Sequence, residues 1–99
     1  MNIEKKVNGQ SMEIALCGRL DTASSPQLEA ELKNSLNGIT SLSFDFKNLE
    51  YISSSGLRVI LSAQKVMTKQ GNMEIFNVSD SVMEVFEVTG FADILSINQ

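Results

Sequence analysis

The chain has few of the residue types that enzymes use for covalent and metal chemistry. Its 99 residues include no histidine and a single cysteine. The chain therefore has no histidine to act as the base of a nucleophile and too few cysteine and histidine ligands for a typical zinc site. Cys17 has no partner for an internal disulfide, and its place in an alternating apolar segment favours a small buried side chain. A glycine-rich phosphate-binding loop is also absent from the sequence. We therefore expect no catalytic residue, no metal and no cofactor, and a protein that is not an enzyme.

Long apolar runs and an excess of basic charge are missing as well. The N-terminus carries Lys5 and Lys6 but no apolar signal core, and no segment approaches the roughly 20 apolar residues of a membrane span. We therefore expect a cytoplasmic protein outside the membrane. The 12 acidic and 8 basic side chains give a formal net charge of -4, whereas nucleic-acid binding calls for a basic surface. The expected partners are proteins and not nucleic acids.

The most distinctive feature that is present is a run of three serines at positions 53–55, followed by Gly56. Before the run, strict alternation of apolar and polar residues over 41–46 predicts a half-buried strand. After it, the apolar spacing changes to about 3.6, which predicts a helix over residues 57–70. The serines therefore lie at a strand-to-helix junction, where their hydroxyls can be presented to a partner.

A helical wheel of residues 53–70 ranks the three hydroxyls by expected exposure. One arc is apolar and is expected to face the core, and it consists of Gly56, Val59, Ile60, Ala63, Val66 and Met67. Ser54 projects almost opposite this arc, so it is expected to be the best-exposed serine. Leu57 and Leu61 project on the same side as Ser54. They predict an exposed contact patch beside it, unless a neighbouring helix covers them.

Two roles are open for the serines at this junction. A serine oxygen often caps a helix by accepting a hydrogen bond from a free backbone N–H of the first turn. The start of a helix also suits an added phosphate, because unpaired N–H donors and the positive end of the helix dipole lie there. Capping needs only one serine, so a second one is a candidate phosphorylation site.

A second serine-rich junction follows the alternating apolar run at residues 12–16. The segment 18–22 reads Gly-Arg-Leu-Asp-Thr, and its aspartate is well suited to a turn. Pro26 suits the first position of a helix, which makes Ser25 the expected cap. A leucine at every fourth position then predicts the buried stripe of that helix, formed by Leu28, Leu32 and Leu36.

The C-terminal third continues the same alternation of elements. Residues 72–77 predict a strand and residues 94–97 a last strand. The sequence shows neither a linker nor an internal repeat. We therefore expect a single domain over residues 1–99.

The order of these motifs resembles the STAS domain of the bacterial anti-sigma-factor antagonists. The resemblance covers nearly the whole chain and rests on segments 18–22 and 25–29, strand 44–46 with Leu49, segment 51–57, Gly71, helix 79–88 and Gly90 with Phe91. It implies a single α/β domain in which a small mixed β-sheet has its α-helices packed mainly on one face.

The resemblance also implies a partner-switching mechanism in transcription regulation. The implied partner is a serine kinase that is also an anti-sigma factor. The unphosphorylated antagonist binds this partner and frees the sigma factor, and phosphorylation of a serine at the start of the central helix prevents binding. A phosphatase that reverses the modification is a further expected partner. The free antagonist is expected to be a monomer.

The family pattern Asp-Ser-Ser-Gly falls on residues 53–56, which makes Ser54 the implied phosphorylation site. The acidic loop residue of the family falls on Asp21. This chain departs from the pattern at Ser53, where many phosphorylated members have aspartate. Three readings stay open: phosphorylation of Ser54, phosphorylation of Ser53 instead, or an unphosphorylated binding module of a larger signalling or transport assembly.

The expected partner-binding surface surrounds the implied phosphorylation site. Arg58 lies one turn beyond Ser54 and either pairs with the phosphate or stays a solvated side chain. The full set of residues expected at this surface is Asp21, Thr22, Ser53, Ser54, Ser55, Gly56, Leu57, Arg58 and Leu61.

Overall fold

The computed structural model describes residues 1–98 of the chain, and these residues form five strands, three α-helices and one 3₁₀ helix. In chain order the elements are β1 (Asn2–Asn8), β2 (Ser11–Leu20), α1 (Ser25–Ser35), β3 (Ser41–Ile52), α2 (Ser54–Gln70), β4 (Asn72–Phe76), α3 (Asp80–Thr89), the 3₁₀ helix (Phe91–Asp93) and β5 (Ile97–Asn98). Within residues 1–98, none of the helices has the length and apolarity needed to span a bilayer.

The strands form one mixed sheet whose spatial order follows the chain order from β1 to β5. β1 pairs antiparallel with β2, and every later pair is parallel. Crossovers between parallel neighbours are right-handed as a rule, so successive steps in one direction place the connecting helices on the same face. The expectation of a small mixed sheet with its helices on one face is confirmed.

Strand alternation divides the sheet into two unlike faces. The helix face carries the buried apolar side chains of the central strands, namely Met12, Ile14, Leu16, Leu42, Phe44, Phe46, Met73 and Ile75. All three helices pack on it, and the Phe86 ring of α3 stacks on Phe46 with ring centroids 6.3 Å apart. Burying a side chain of this size is worth about 1.5–3 kcal/mol relative to exposure. This single apolar layer therefore holds the sheet and the helices together.

Among the described residues, no helix covers the other face of the sheet, which we call the open face. It carries polar side chains such as Glu13, Ser43 and Glu74. Cys17 lies on this face and is exposed. The prediction that Cys17 is buried is therefore wrong, because the alternation of β2 turns its neighbour Leu16 towards the helices instead.

Two element boundaries also differ from the sequence-based expectations. Ser24 occupies the cap position of α1, and Ser25 is already its first residue. Ser25 is 3% exposed, and its hydroxyl donates to the Asp21 carbonyl at 2.6 Å instead of capping. At the other end of the chain, Gly90 ends α3 in a left-handed conformation with φ of 82°. The chain then forms the 3₁₀ helix, so the last strand is Ile97–Asn98 and not residues 94–97.

Candidate functional site

The candidate site lies where β2 and β3 end and α2 begins. The Ser53 N–H donates to the Leu20 carbonyl at 2.9 Å, which joins the junction after β3 to the last residue of β2. Ser53 has an extended backbone, and its Oγ accepts a hydrogen bond from the Gly56 N–H at 3.2 Å. Ser53 is thus the residue that caps α2, because its oxygen satisfies a free donor of the first turn.

Ser54, the first residue of α2, is the exposed member of the three serines, whereas Ser53 and Ser55 are half-buried. Among the side-chain hydrogen bonds found in residues 1–98, none involves the Ser54 hydroxyl. The Ser55 Oγ lies 3.4 Å from Thr22 Oγ1 and so joins α2 to the loop after β2. Each serine therefore has a different environment, and only Ser54 presents a hydroxyl that local structure does not use.

The loop between β2 and α1 is built around the side chain of Asp21. Its Oδ1 accepts from the backbone N–H groups of Ala23 at 3.1 Å and Ser24 at 3.0 Å, which is the usual way an aspartate forms a turn. The Asp21 N–H in turn donates to the Ser24 hydroxyl at 2.9 Å. Asp21 therefore shapes the loop that holds Thr22 against Ser55.

The hydrogen bonds of this loop favour the ionised form of Asp21. The Ser24 backbone N–H lowers the pKa of the Asp21 carboxyl below its usual value of 3.8, with further lowering from the Ser24 hydroxyl, the Ala23 N–H and the Arg19 charge. A donor aimed at a carboxylate stabilises its charged form, which is why the pKa falls. The loop around Asp21 is consequently best formed at neutral pH.

Asp21→Asn is expected to remove part of the acid sensitivity of the fold. Because the folded-state pKa of Asp21 lies below the unfolded-state value, the carboxylate stabilises the fold above about pH 4. That stabilisation is lost as the pH falls through the folded-state pKa. The Tm difference between the wild type and Asp21→Asn should be largest near pH 7 and should narrow as the pH falls below about 4 and through the lowered folded-state pKa. Thermal melts followed by circular dichroism measure this Tm difference at each pH.

Asp93→Asn is the matched control, because Asp93 lies outside the loop. A Tm difference for Asp21→Asn that does not change with pH would contradict the role of the Asp21 carboxylate in the loop.

A shallow cleft of about 250 Å³ lies next to Ser55, between the first turns of α1 and α2. It is lined by Thr22, Ser25, Pro26, Glu29, Ser55, Arg58 and Val59. Arg58 is exposed, and among residues 1–98 its guanidinium takes part in neither of the two ion pairs found. The surface beside Ser54 therefore offers a cation that the fold itself does not engage.

The prediction of an exposed Leu57–Leu61 patch is wrong for Leu57, which is 4% exposed. Leu61 is half-buried. The buried side of α2 is instead formed by Gly56, Leu57, Val59, Ile60, Ala63 and Met67. Val66, which the wheel placed in the core, is 40% exposed. The buried face of the helix is therefore rotated by about 30–40° from the expected phase, towards Leu57 and away from Val66, at about 100° per residue.

A pair that the sequence did not single out lies at the same end of the sheet. The Arg19 guanidinium stacks over the Tyr51 ring at 4.3 Å from its centroid, in a cross-strand pair of β2 and β3. The register shifts between Cys17 and Arg19 by a bulge, so spacing alone did not reveal which residue faces Arg19. Arg19 and Tyr51 extend the exposed surface near Ser54 onto the open face of the sheet.

Acidic side chains do not gather into a metal site in this part of the molecule. Across residues 1–98, no group of three His, Cys, Asp or Glu side chains is placed to hold a metal ion. Asp45 accepts a hydrogen bond from the Asn77 side chain at 3.0 Å and so is engaged elsewhere. The site is therefore a surface of hydroxyls, one loop carboxylate and nearby cations, which suits binding or modification.

Comparison with known proteins identifies the family. A model of the STAS domain matches residues 2–99. The anti-sigma-B factor antagonist of Bacillus subtilis is 28% identical over 99 residues, which is 99% of this chain and 91% of that protein. BtrV of Bordetella bronchiseptica is 36% identical over 94 residues, which is 93% of this chain and 80% of that protein.

Solved structures give the same result for the fold. The anti-sigma factor antagonist SpoIIAA in its unphosphorylated form matches with a TM-score of 0.77 at 20% identity, covering 99% of this chain and 87% of that one. The phosphorylated form of the Bacillus cell fate determinant SpoIIAA matches with a TM-score of 0.76 at 20% identity, over 99% of this chain and 92% of that one. Because the STAS domain model matches residues 2–99 and the solved structures share the fold, the chain belongs to the STAS domain family.

Proposed function

We propose that this chain is an anti-sigma-factor antagonist whose binding to its partner is controlled by phosphorylation of Ser54. The observation that carries the proposal is the exposed Ser54 hydroxyl at the first residue of α2, which no hydrogen bond of the described residues engages. The names of the curated relatives support the antagonist role. The proposed partner is an anti-sigma factor that also acts as a serine kinase, which places the chain in the cytoplasm, and a phosphatase resets the switch.

Ser54 is favoured over Ser53 as the acceptor because of what each hydroxyl already does. The Ser53 oxygen is half-buried and accepts from the Gly56 N–H, so a phosphate there would displace the cap of α2. A phosphate on Ser54 would extend from the first turn into solvent, where the helix dipole and free N–H groups favour a negative group. Phosphorylation of Ser54 therefore leaves the local fold in place.

The loss of the family aspartate at position 53 is compatible with this reaction. A kinase supplies its own catalytic base, its metal ions and ATP, so the acceptor protein needs only a reachable hydroxyl. Ser53 keeps the capping function that an aspartate would also perform, since both are preferred cap residues. What Ser53 removes is a negative charge next to the acceptor.

The binding surface follows from the geometry around Ser54. Thr22 and Ser55 are joined across the loop, and Arg58 lines the cleft beside them. Asp21 acts by holding the loop, while Gly56 and Leu57 act from the core as supports of the first turn. The proposed contact surface thus consists of Thr22, Ser54, Ser55, Arg58 and the half-buried Leu61.

Mass spectrometry after a kinase reaction tests the proposal. The unmodified chain is used to capture its partner from the source cells, and the captured protein is incubated with fresh chain and Mg-ATP. We expect the intact mass to rise by one phosphate, located on residue 54 by peptide mapping. Ser54→Ala should abolish the modification. Ser53→Ala should retain it, although the lost cap lowers stability by about 1 kcal/mol.

One other function has a specific observation in its favour. Ser53 in place of the family aspartate fits a STAS module that binds a partner without being phosphorylated, within a larger signalling or transport assembly. A captured partner that binds tightly while the mass of the chain stays unchanged would favour this alternative. A phosphate on residue 53 would keep the switch and reassign its site.

A further inference from the structure

We propose that this chain forms a symmetric dimer in which β1 pairs antiparallel with β1 of a second copy. β1 is an edge strand of seven residues that pairs with β2 on one side only. Val7, in this strand, is 57% exposed, which is unusual for a branched apolar residue in a sheet. Unpaired edges of this length are templates for pairing with another chain. The proposal is independent of the phosphorylation switch.

The backbone of β1 has its unused groups on the side away from β2. Asn8 and Ser11 close the hairpin across the two turn residues Gly9 and Gln10. In a two-residue hairpin the two residues of the closing pair exchange backbone hydrogen bonds. Along the ladder, hydrogen-bonded pairs then alternate with pairs that exchange none, so Asn8, Lys6, Glu4 and Asn2 are bonded to β2. Ile3, Lys5 and Val7 fall between these pairs, so their N–H and C=O groups point outward. A second strand can therefore continue the ladder at these residues.

The sequence of β1, Asn-Ile-Glu-Lys-Lys-Val-Asn, is complementary to its own reverse. When the two-fold axis passes beside Lys5, Glu4 faces the partner's Lys6, and Ile3 faces the partner's Val7. Opposite charges and branched apolar residues are favourable cross-strand pairs, whereas like charges directly opposite are unfavourable. In this register Lys5 faces Lys5 of the second copy. Centring the pairing one residue earlier or later would also place a like-charge pair at the centre, glutamate against glutamate or lysine against lysine, and would lose both Glu4–Lys6 pairs. The register centred on Lys5 is therefore the one that gains two opposite-charge pairs.

The lysine at the centre of the pairing is neutralised within its own chain. Lys5 Nζ lies 2.7 Å from Glu31 Oε1 of α1 and donates to Ser35 Oγ at 2.9 Å. Lysines on an edge strand usually oppose pairing with another chain. Here one lysine is held by α1 and the other faces a glutamate. The arrangement replaces the usual repulsion with two symmetric ion pairs.

The proposed interface leaves the candidate functional site free. Lys5 lies opposite Ile14, midway along β2, whereas Ser54 follows the end of β3, whose Ile52 lies opposite Leu20. A two-fold axis at Lys5 would run the strands of the two copies in opposite directions in one continuous sheet. The two Ser54 residues would then lie at opposite ends of the dimer. This proposed dimer is the alternative to the free monomer expected from the sequence.

Charge reversal on the full-length chain tests the interface. Sedimentation velocity over a range of concentrations is expected to show wild-type particles with twice the mass of one chain. Glu4→Lys alone and Lys6→Glu alone each create two like-charge pairs, so each should raise the dimer Kd by about tenfold or more. The double variant Glu4→Lys/Lys6→Glu restores opposite charges in both pairs and should return to the wild-type Kd.

Mixing the two single variants gives the sharpest test. Glu4→Lys on one copy complements Lys6→Glu on the other, so an equimolar mixture should form a heterodimer although neither variant dimerises well alone. Lys47→Glu and Glu74→Lys, which are exposed and lie on other strands, are the controls and should keep the wild-type Kd. Circular dichroism verifies that each variant folds, because Lys6 also lies opposite Glu13 of its own hairpin. A wild type that sediments as one chain up to about millimolar concentration, or a mixture that stays monomeric, would overturn the proposal.

Discussion

Replacing Gly56 with leucine is expected to lower the free energy of unfolding by about 3 kcal/mol, the upper end for overpacking in a dense core. The first turn of α2 approaches the ends of β2 and β3 so closely that a Cβ on residue 56 would lie 2.7 Å from Leu20 Cγ, 2.9 Å from the Leu20 carbonyl oxygen and 3.0 Å from Ile52 Cγ1. The Leu20 side chain has some freedom to move. Its carbonyl oxygen has little, because it accepts from the Ser53 N–H. A larger side chain must therefore push α2 away from the sheet.

Thermal and urea unfolding measure this effect, with alanine as an intermediate variant. Gly56→Ala brings a smaller overlap, and it also gains about 0.5–1 kcal/mol because alanine favours a helix over glycine. Its net loss should therefore be well below that of Gly56→Leu. Ser62→Leu, at an exposed position of the same helix, is the control and should change stability by no more than about 0.5 kcal/mol. A Gly56→Leu midpoint equal to the wild type would show that α2 does not contact the sheet in this way.

Replacing Ser54 with aspartate is expected to weaken binding of the anti-sigma partner by about 3 kcal/mol, on the order of a hundredfold in Kd. The exposed Ser54 side chain makes no hydrogen bond with the described residues, so its replacement removes no internal contact. Burying the new carboxylate against a partner without a cation to receive it carries a large desolvation cost. The loss should therefore appear in binding and not in stability.

Titration calorimetry with the captured partner, together with melting curves, separates the two effects. Ser54→Ala should bind like the wild type, because it removes a hydroxyl without adding charge. Both variants should melt within about 0.5 kcal/mol of the wild type. Thr68→Asp adds the same charge at an exposed position near the far end of α2 and serves as the control. Equal affinity of Ser54→Asp and Ser54→Ala would refute the proposed switch.

Periodicity in the sequence predicted those elements whose burial is one-sided and regular. The alternation over residues 41–46 and 12–16 marked β3 and β2, and the sheet buries those side chains as expected. β1 gave no such signal. Alternate residues of β1 lie on the helix face, and one of them is Lys5, which forms an ion pair with Glu31 of α1. Because Glu31 is distant in the sequence, the local pattern of β1 could not predict that Lys5 lies on this face.

Helix phase and helix caps were harder to predict for a related reason. Leu57 and Val66 are both apolar, so only tertiary packing decides that Leu57 is buried and Val66 is exposed at the groove between α1 and α2. Ser24 and Ser25 are both good caps by type. The outcome depends on Asp21, whose carboxylate and carbonyl hold the two serines in different roles. At 53–55 the serines differ in the same way, by the contacts available to each.

The cap at Ser53 keeps the backbone next to residue 54 ordered before any modification of Ser54. Its N–H is held by the Leu20 carbonyl and its oxygen by the Gly56 N–H, so the backbone on both sides of residue 54 is already immobilised in the free protein. A change at the neighbouring hydroxyl then requires no reordering of the chain and no loss of conformational entropy. The amides of Ser53 and Gly56 should show the same slow hydrogen exchange before and after modification.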